Sequence, residues 1–321
     1  MNKFKRSARL FKTAFTILFR EKKLLLFPFI ASGFAFVAAL FFITPIVLYP
    51  TGHPYFSTAH WSALGERFSQ SFSPPPHSLN HPFLNSFTAG HVLFQHWWIT
   101  LFFAISYFTS MFISIFCNVA FYHEIMQALN GNAVSIQRGF AFAKTRWRAV
   151  LMWSLFAGLV GYIIRAIEQR AGFLGRIIAG LIGVTWSIAC IFIIPTLVRD
   201  TQTVNPLVLL RHSAGTLKRT WGELVIGFVG LEVVAFFVII PFVMIMVFIM
   251  AGASHSMMTP QHHVTLALLM FPLMFLVLLP ISWLTNLVNS IYRCALFIYA
   301  TEGVIPESFD KELLDSAWKV K

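Results

Sequence analysis

Six stretches of the chain are long and apolar enough to cross a lipid bilayer as helices, and they constrain the fold more than any other feature. A spanning helix needs about 20 apolar residues, because the hydrocarbon is about 30 Å thick and a helix rises about 1.5 Å per residue. The sequence therefore predicts an all-α, polytopic membrane protein with six transmembrane helices in one membrane domain, residues 1–321. The predicted spans are residues 24–49, 97–122, 150–167, 177–198, 224–251 and 264–300.

The composition excludes an ordinary soluble domain. Charged residues make up 11% of the chain and hydrophobic residues 57%, whereas soluble domains carry about 25% charged residues. The three cysteines, Cys117, Cys190 and Cys294, all fall within predicted spans, which argues against a disulfide framework.

The positions of Lys and Arg predict the orientation. Twenty of the 24 fall in residues 1–23, 123–149, 199–223 and the C-terminal end from Arg293 onward. Because cytoplasmic loops are enriched in Lys and Arg, these segments are expected on the cytoplasmic side of the membrane. Both termini and the tail 301–321 would then be cytoplasmic, and the His-, Ser- and Pro-rich loop 50–96 would be external. Arg165, Arg170 and Arg176 break this pattern unless they snorkel to headgroups.

The formal net charge of +12 has the same explanation. Basic residues beside a membrane are attracted to anionic lipid, by about 1 kcal/mol each. The expected partners are therefore the lipid bilayer and anionic lipid at the cytoplasmic face. No nucleic-acid partner is expected, because the basic residues are spread over several juxtamembrane segments instead of forming one stripe.

The spans look like three copies of one hairpin. Similar strings begin at Ser114, Ser187 and Ser290 and each ends at a cysteine; each is followed by a short segment that reaches Trp147, Trp221 or Trp318. We expect a repeated unit of interfacial amphipathic helix, outward span, loop and return span, although apolar sequences also resemble one another by chance. Before the second tryptophan the predicted apolar face comprises Leu207, Leu210, Ala214, Leu217 and Trp221.

Five polar residues inside the predicted spans are the candidate site residues: Glu232, Arg293, Asn289, Asn286 and Asn118. Ionisable groups in hydrocarbon are costly, by about 2.5–3.5 kcal/mol on insertion scales, so each needs a reason. Glu232 and Arg293 lie at similar predicted depths in consecutive spans and are expected to pair. One interpretation is a polar cavity, substrate path or proton relay. The other is a structural ion pair with interhelical hydrogen bonds.

Nine of the 11 histidines lie in the predicted external segments. The stretch from His255 to His263 combines imidazole with the thioethers of Met257 and Met258, ligands that suit copper or zinc. No zinc-finger spacing accompanies them, and no Cys or carboxylate completes a site. External loops that avoid Lys and Arg also favour histidine as a neutral polar residue. No metal site or cofactor is therefore assigned.

Six short runs of the chain carry a resemblance to a known family: Phe116–Ala120, Trp153–Glu168, Gly183–Ile188, Ile194-Pro195, Lys218–Glu223 and the N-terminal run Glu21–Pro28. They resemble a bacterial family of six-span membrane proteins known only as a domain of unknown function. The resemblance implies the same fold, a place in the bacterial cytoplasmic (inner) membrane, and no assigned activity or ligand.

The functional expectations follow from these features. The sequence has no nucleophile-elbow, zincin, Walker or dinucleotide-binding motif, so we expect no catalysis. The first hypothesis is a non-catalytic scaffold or accessory protein of the cytoplasmic membrane. The alternative is a repeat-built transporter of a small molecule or ion. A second alternative is a metal-handling membrane protein that uses the external His and Met residues.

Overall fold

The computed structural model describes residues 15–72, 97–255 and 260–303, with side chains for only part of the stretch between 221 and 275. All regular secondary structure in these ranges is helical. Residues 15–20 are helical and are followed by a 3-10 turn over Lys22–Leu25. The helices are then α1 (Leu26–Val47), α2 (Thr58–Phe72), α3 (Trp97–Leu129), α4 (Ile136–Thr145), α5 (Trp147–Arg170), α6 (Phe173–Ala189), α7 (Ile193–Arg199), α8 (Pro206–His255) and α9 (Pro260–Glu302).

Four segments of the described chain are long and apolar enough to cross a membrane: Lys22–Pro45, Leu101–Leu129, Trp147–Arg170 and Phe173–Arg199. They coincide with the first four predicted spans, so the prediction of a helical membrane protein is confirmed. The fifth and sixth predicted spans fall within α8 and α9, whose side chains are described only in part. The total of six spans therefore stays a prediction, as does the threefold repeat.

Span boundaries differ from the predicted ones at the ends of α3 and α5. Helix α3 continues past Tyr122 to Leu129, where Ile125 and Met126 are buried by the following turn and helix. Helix α5 begins at Trp147 and has 24 residues, so the third span is longer than the apolar run alone indicated. Polar residues at helix ends lower the apparent hydropathy without ending the helix.

The fourth predicted span is broken in two. Helix α6 ends at Ala189 and α7 begins at Ile193, with Pro195 in its first turn, where a proline costs no intrahelical hydrogen bond. The buried Ser213 hydroxyl lies against the break. It donates to the Ala189 carbonyl at 2.6 Å and accepts from the Phe192 amide at 3.2 Å. Two backbone groups exposed by the break are thereby satisfied.

The amphipathic segment before Trp221 is the start of α8, a 50-residue helix that continues without interruption into the fifth predicted span. Its buried face agrees with the prediction in part. Leu217 is buried as predicted, but Leu209, Ser213, Thr216 and Thr220 are buried as well, whereas Leu207 is 61% exposed. Because a hydroxyl can bond a carbonyl one turn back, small polar residues can pack against protein in this helix beside the leucines.

Part of the segment expected to be an irregular external loop forms α2. His60 in this helix is fully buried. One ring nitrogen lies 3.0 Å from the Val47 carbonyl, and the other contacts the Thr51 hydroxyl. This histidine therefore fastens α2 to the end of α1. Residues 73–96, with four of the predicted external histidines, lie outside the described residues.

The described core is concentrated at one end of the bundle, the end that the sequence predicts to face the cytoplasm. We call this region the inner layer and define it as residues 15–27, 115–150, 192–220 and 287–303. It contains most of the fully buried large side chains, among them Leu18, Leu24, Ile125, Leu129, Phe192, Leu197 and Leu296. Outside it, the helices are mostly exposed, as expected for surfaces that face lipid.

The N-terminal residues also belong to the inner layer. The Arg20 guanidinium donates to the Ala128 carbonyl at 3.2 Å, and the Glu21 carboxylate accepts from the Val134 amide at 3.3 Å. These contacts join the start of the chain to the connection between α3 and α4. Buried hydrophobic residues from all these segments then form a single cluster.

Candidate functional site

Two of the predicted site residues are exposed on their helices. Asn118 on α3 donates from its amide nitrogen to the Ser114 carbonyl of the same helix at 2.9 Å. Asn286 on α9 is exposed as well. The structure therefore does not bring these two residues into a common polar site with Asn289 and Arg293.

Asn289 and Arg293 lie on the side of α9 that packs against the bundle. Asn289 is buried, and its side-chain oxygen has no hydrogen-bond partner within the described part of the chain. Arg293 is half-buried. The hydroxyl of the buried Tyr122 on α3 lies within hydrogen-bonding reach of Ser290 and Arg293. This places a small polar contact between α3 and α9 at the edge of the inner layer.

The predicted partner of Arg293, Glu232, has no described side chain. The proposed pair of Glu232 and Arg293 therefore lies outside the described residues and stays a prediction.

The most enclosed acidic side chain in the described structure is that of Glu124, near the end of α3, which is not among the candidate site residues predicted from the sequence. Its side chain is 0% exposed. The Arg138 guanidinium donates to both carboxylate oxygens, from Nε to Oε1 at 2.9 Å and from Nη2 to Oε2 at 2.6 Å. The Ser135 amide donates to Oε2 at 2.7 Å, and His123 Nδ1 lies 3.1 Å from Oε1. These contacts satisfy both oxygens of the buried carboxyl group.

The turn after α3 and the start of α4 position these groups. Ser135 is the N-cap of α4, and its hydroxyl accepts from the Arg138 amide at 3.4 Å. Gly139 allows α4 to approach α3 closely, because a Cβ there would lie 2.8 Å from the Ala120 carbonyl oxygen and 2.9 Å from Glu124 Cγ. The hydrogen bonds that Arg138 donates to Glu124 raise the pKa of Arg138. The two side chains together fix α4 on α3.

A second buried cation joins the connection between α4 and α5 to the end of α7. Arg146 is buried and donates to the carbonyls of Leu197 at 3.2 Å, Asp200 at 2.7 Å and Thr203 at 2.9 Å, and also to that of Thr201. The carbonyls at a helix C-terminus lack intrahelical partners and carry partial negative charge. Arg146 therefore caps α7, even though desolvation by burial lowers its pKa.

Asp200 organises the turn that Arg146 binds. One carboxylate oxygen accepts from the amides of Gln202 at 3.3 Å and Thr203 at 3.1 Å, and the other lies 3.2 Å from His212 Nδ1. Desolvation alone would raise the pKa of Asp200, but hydrogen bonds from Thr203 and Gln202 and the charge of His212 lower it overall. The carboxylate is therefore ionised at neutral pH and stabilises the turn.

A third charged contact, an ion pair, connects the end of α7 with the end of α9. Arg199 donates from Nη2 to Glu302 Oε2 at 2.6 Å, and its Nε lies 2.5 Å from Oε1. Both side chains are partly exposed, so the pair adds little to the free energy of unfolding. Its main effect is to hold the ends of the two helices beside each other. Together the three sites connect α3 to α4, the α4–α5 corner to α7, and α7 to α9.

One cavity lies between α1 and α3 and reaches the edge of the inner layer at Cys117. It has a volume of about 360 Å³ and is lined by Ala, Phe and Ile side chains together with Ser110, Ser114 and Cys117. Its lining is largely apolar and contains no charged residue.

The described residues contain no group of three or more His, Cys, Asp or Glu side chains that could hold a metal ion. His60 is already bonded within the fold. The His and Met segment of the second alternative, residues 255–263, has no described side chains. The metal-handling hypothesis therefore stays untested.

These features define a helical membrane protein in which buried charges join the segments between its membrane-compatible helices. The comparisons with known proteins agree with that class. A family of unknown function, DUF6159, matches residues 95–306, about two thirds of the chain, and the protein belongs to this family. No curated protein and no solved structure matches the chain. The resemblance seen in the sequence is thus confirmed at the level of a family of unknown function.

Proposed function

We propose that the protein is a non-catalytic scaffold or accessory protein of the bacterial cytoplasmic membrane, with its inner layer and both termini in the cytoplasm. The proposal rests on one observation: the buried charged side chains of the inner layer bind groups of other segments of the chain. Apart from the contact of Glu124 with its neighbour His123, Glu124 and Arg146 together bind one side chain, one backbone amide and four backbone carbonyls, and each of these partners belongs to a different segment from its own. Such contacts hold segments in place.

A scaffold needs a surface of fixed shape, and the inner layer supplies one. Buried ion pairs are weak evidence for stability but break at a high cost when one partner is removed. They therefore disfavour alternative arrangements of the connected helices. The exposed basic residues of this layer, including Lys22, Lys23, Lys144, Arg211 and Lys218, would then face anionic lipid or a cytoplasmic partner.

A transporter is the second candidate, and two observations favour it. The fourth span is broken between Ala189 and Ile193, and transporters commonly bind substrates at broken helices. The buried Asn289 also has a side-chain oxygen without a partner in the described part of the chain. Against it, Ser213 already satisfies two backbone groups at the break. Fewer groups are then left there to bind a substrate.

Accessibility of position 289 distinguishes the two functions. Asn289→Cys is introduced into a chain whose three native cysteines are changed to alanine, and a membrane-impermeant maleimide is added to right-side-out and inside-out vesicles. The scaffold predicts no labelling of position 289 from either side until the protein is unfolded. Labelling of the folded protein from either side would show a water-filled path and favour transport. Ser62→Cys on α2 and Lys144→Cys on α4, both exposed, are the external and cytoplasmic controls.

A further inference from the structure

The corner between α4 and α5 presents a basic and aromatic surface that the inner layer does not use. Lys144, Trp147 and Arg148 are exposed here, on either side of the buried Arg146. The Arg148 guanidinium carbon lies 5.6 Å from the centre of the Trp147 ring, within the range of a cation–π contact. Tryptophan prefers the headgroup level of a membrane, so this corner sits where α5 enters the lipid.

The two cations at this corner have no acidic partner among the residues that the structure describes. Neither Lys144 nor Arg148 forms an ion pair with any of them. The described carboxylates of the inner layer, in contrast, are all engaged: Glu21, Glu124, Asp200 and Glu302 each contact a donor of the chain itself. Charge complementarity at the corner therefore has to come from outside the described protein.

An apolar stripe begins at the corner and runs outward along α5. Arg148 is followed at helical spacing by Met152, Leu155 and Leu159, all of which are exposed. Eleven residues of helix cover about 16 Å, close to half of the hydrocarbon thickness of about 30 Å. The opposite face of α5, with Trp153 and Ala157, is buried in the bundle. The stripe thus has the length of one leaflet and a cationic end.

We propose that the α4–α5 corner binds one anionic phospholipid of the inner leaflet. Lys144 and Arg148 bind the phosphate, the Trp147 ring lies beside the headgroup, and an acyl chain lies along Met152, Leu155 and Leu159. A basic site beside an exposed helix stripe is the arrangement by which membrane proteins retain anionic lipid headgroups. The proposal specifies one of the contacts with anionic lipid that the proposed function includes. It does not depend on the scaffold function, since a transporter could bind the same lipid.

Native mass spectrometry of the full chain in detergent tests the site with phosphatidylglycerol and phosphatidylcholine of identical acyl chains. The wild-type protein is expected to retain phosphatidylglycerol preferentially. The double variant Lys144→Gln/Arg148→Gln should bind it roughly tenfold more weakly. The matched control Lys218→Gln/Arg219→Gln removes the same charge from exposed positions on α8 and should keep the wild-type preference. All four positions are exposed, so unchanged melting temperatures verify folding.

Four results would contradict the proposal. Equal losses in the two double variants would show diffuse attraction to charge, and no preference for phosphatidylglycerol would show that no anionic site exists. A dimer that is detected for the wild-type protein but not for Lys144→Gln/Arg148→Gln would show that a second copy of the chain covers the stripe. Phosphatidylglycerol with shortened acyl chains should bind more weakly than the full-length lipid; equal binding would contradict the role of the stripe. The labelling of position 289 is independent of all these outcomes.

Discussion

Arg138 holds the Glu124 carboxylate through two hydrogen bonds, at 2.9 Å and 2.6 Å, and the two partners differ sharply in burial. The Glu124 side chain is fully buried, whereas that of Arg138 is 42% exposed. Water can therefore hydrate the guanidinium when the carboxylate is removed. It cannot hydrate the carboxylate as well when the guanidinium is removed.

Arg138→Gln should destabilise the protein more than Glu124→Gln. The first change leaves a buried anion without its main partner and is expected to cost about 3 kcal/mol, while the second should cost about 1–2 kcal/mol. Chemical unfolding in detergent micelles measures both values. The double variant should recover part of the loss, and strictly additive effects would contradict the pairing. Glu168→Gln, at an exposed position on α5, is the control and should be neutral.

Arg146→Lys should weaken the connection between the α4–α5 corner and the end of α7. A lysine carries three donors on one nitrogen and cannot reach four carbonyls that a planar guanidinium spans. We expect a loss of about 2 kcal/mol in the free energy of unfolding. Arg148→Lys, two residues away and exposed, should change stability little. Similar losses in both variants would argue against the carbonyl contacts.

Gly139→Ala should disturb the contact between α3 and α4. The new methyl group would lie 2.8 Å from a backbone oxygen, which cannot move away without shifting a helix. Overpacking of this kind typically costs about 1–3 kcal/mol. The control is Gly215→Ala in α8, where an added methyl group would meet no described neighbour within 4 Å. That helical position should gain up to about 1 kcal/mol, and a loss equal to that at Gly139 would contradict the account.

Asp200 should make stability depend on acid pH. Its pKa is lower in the folded protein than the ordinary value of 3.8, so the folded state binds this proton less readily than the unfolded chain. The stabilisation is therefore complete above the ordinary value and is lost as pH falls below 3.8 through the folded pKa. The difference in melting temperature between the wild-type protein and Asp200→Asn should shrink over that range. A difference that grows on acidification would reverse the sign and refute the interpretation.

The membrane-compatible helices could be predicted from the sequence because apolar length alone decides whether a helix can span a bilayer. Four predicted spans overlap the helices described, and their central residues agree. The boundaries could not be predicted as well, since Tyr122 ends the apolar run but not α3, and the break after Ala189 depends on a contact with Ser213 of a later helix.

The polar site was predicted less well, for a physical reason. Helical spacing places Asn286, Asn289 and Arg293 on neighbouring faces, but it does not show which face turns toward protein. The structure buries Asn289 and leaves Asn286 exposed. A similar uncertainty in rotation put Leu207 on the wrong side of the amphipathic segment.

Glu124 was missed because a carboxylate at the end of an apolar run is ordinarily solvated. Its burial depends on the turn that folds α4 back onto α3, and the sequence carried one usable signal for that turn. Ser135 is a residue type that begins helices, and it is followed by the cation Arg138. Gly139 then allows a neighbouring helix to approach closely. Taken together, these three residues would have pointed to a partner for a nearby carboxylate.

Hydrogen exchange of the full chain in lipid nanodiscs tests most directly whether the inner layer is one rigid unit. Residues 130–135 and 200–205 lie in separate connections, yet the contacts of Glu124 and Arg146 join them through α4. The account predicts that Arg138→Gln speeds exchange in both connections by a similar factor. Faster exchange confined to residues 130–135 would contradict it, since the layer would then consist of independent parts and could not act as a scaffold.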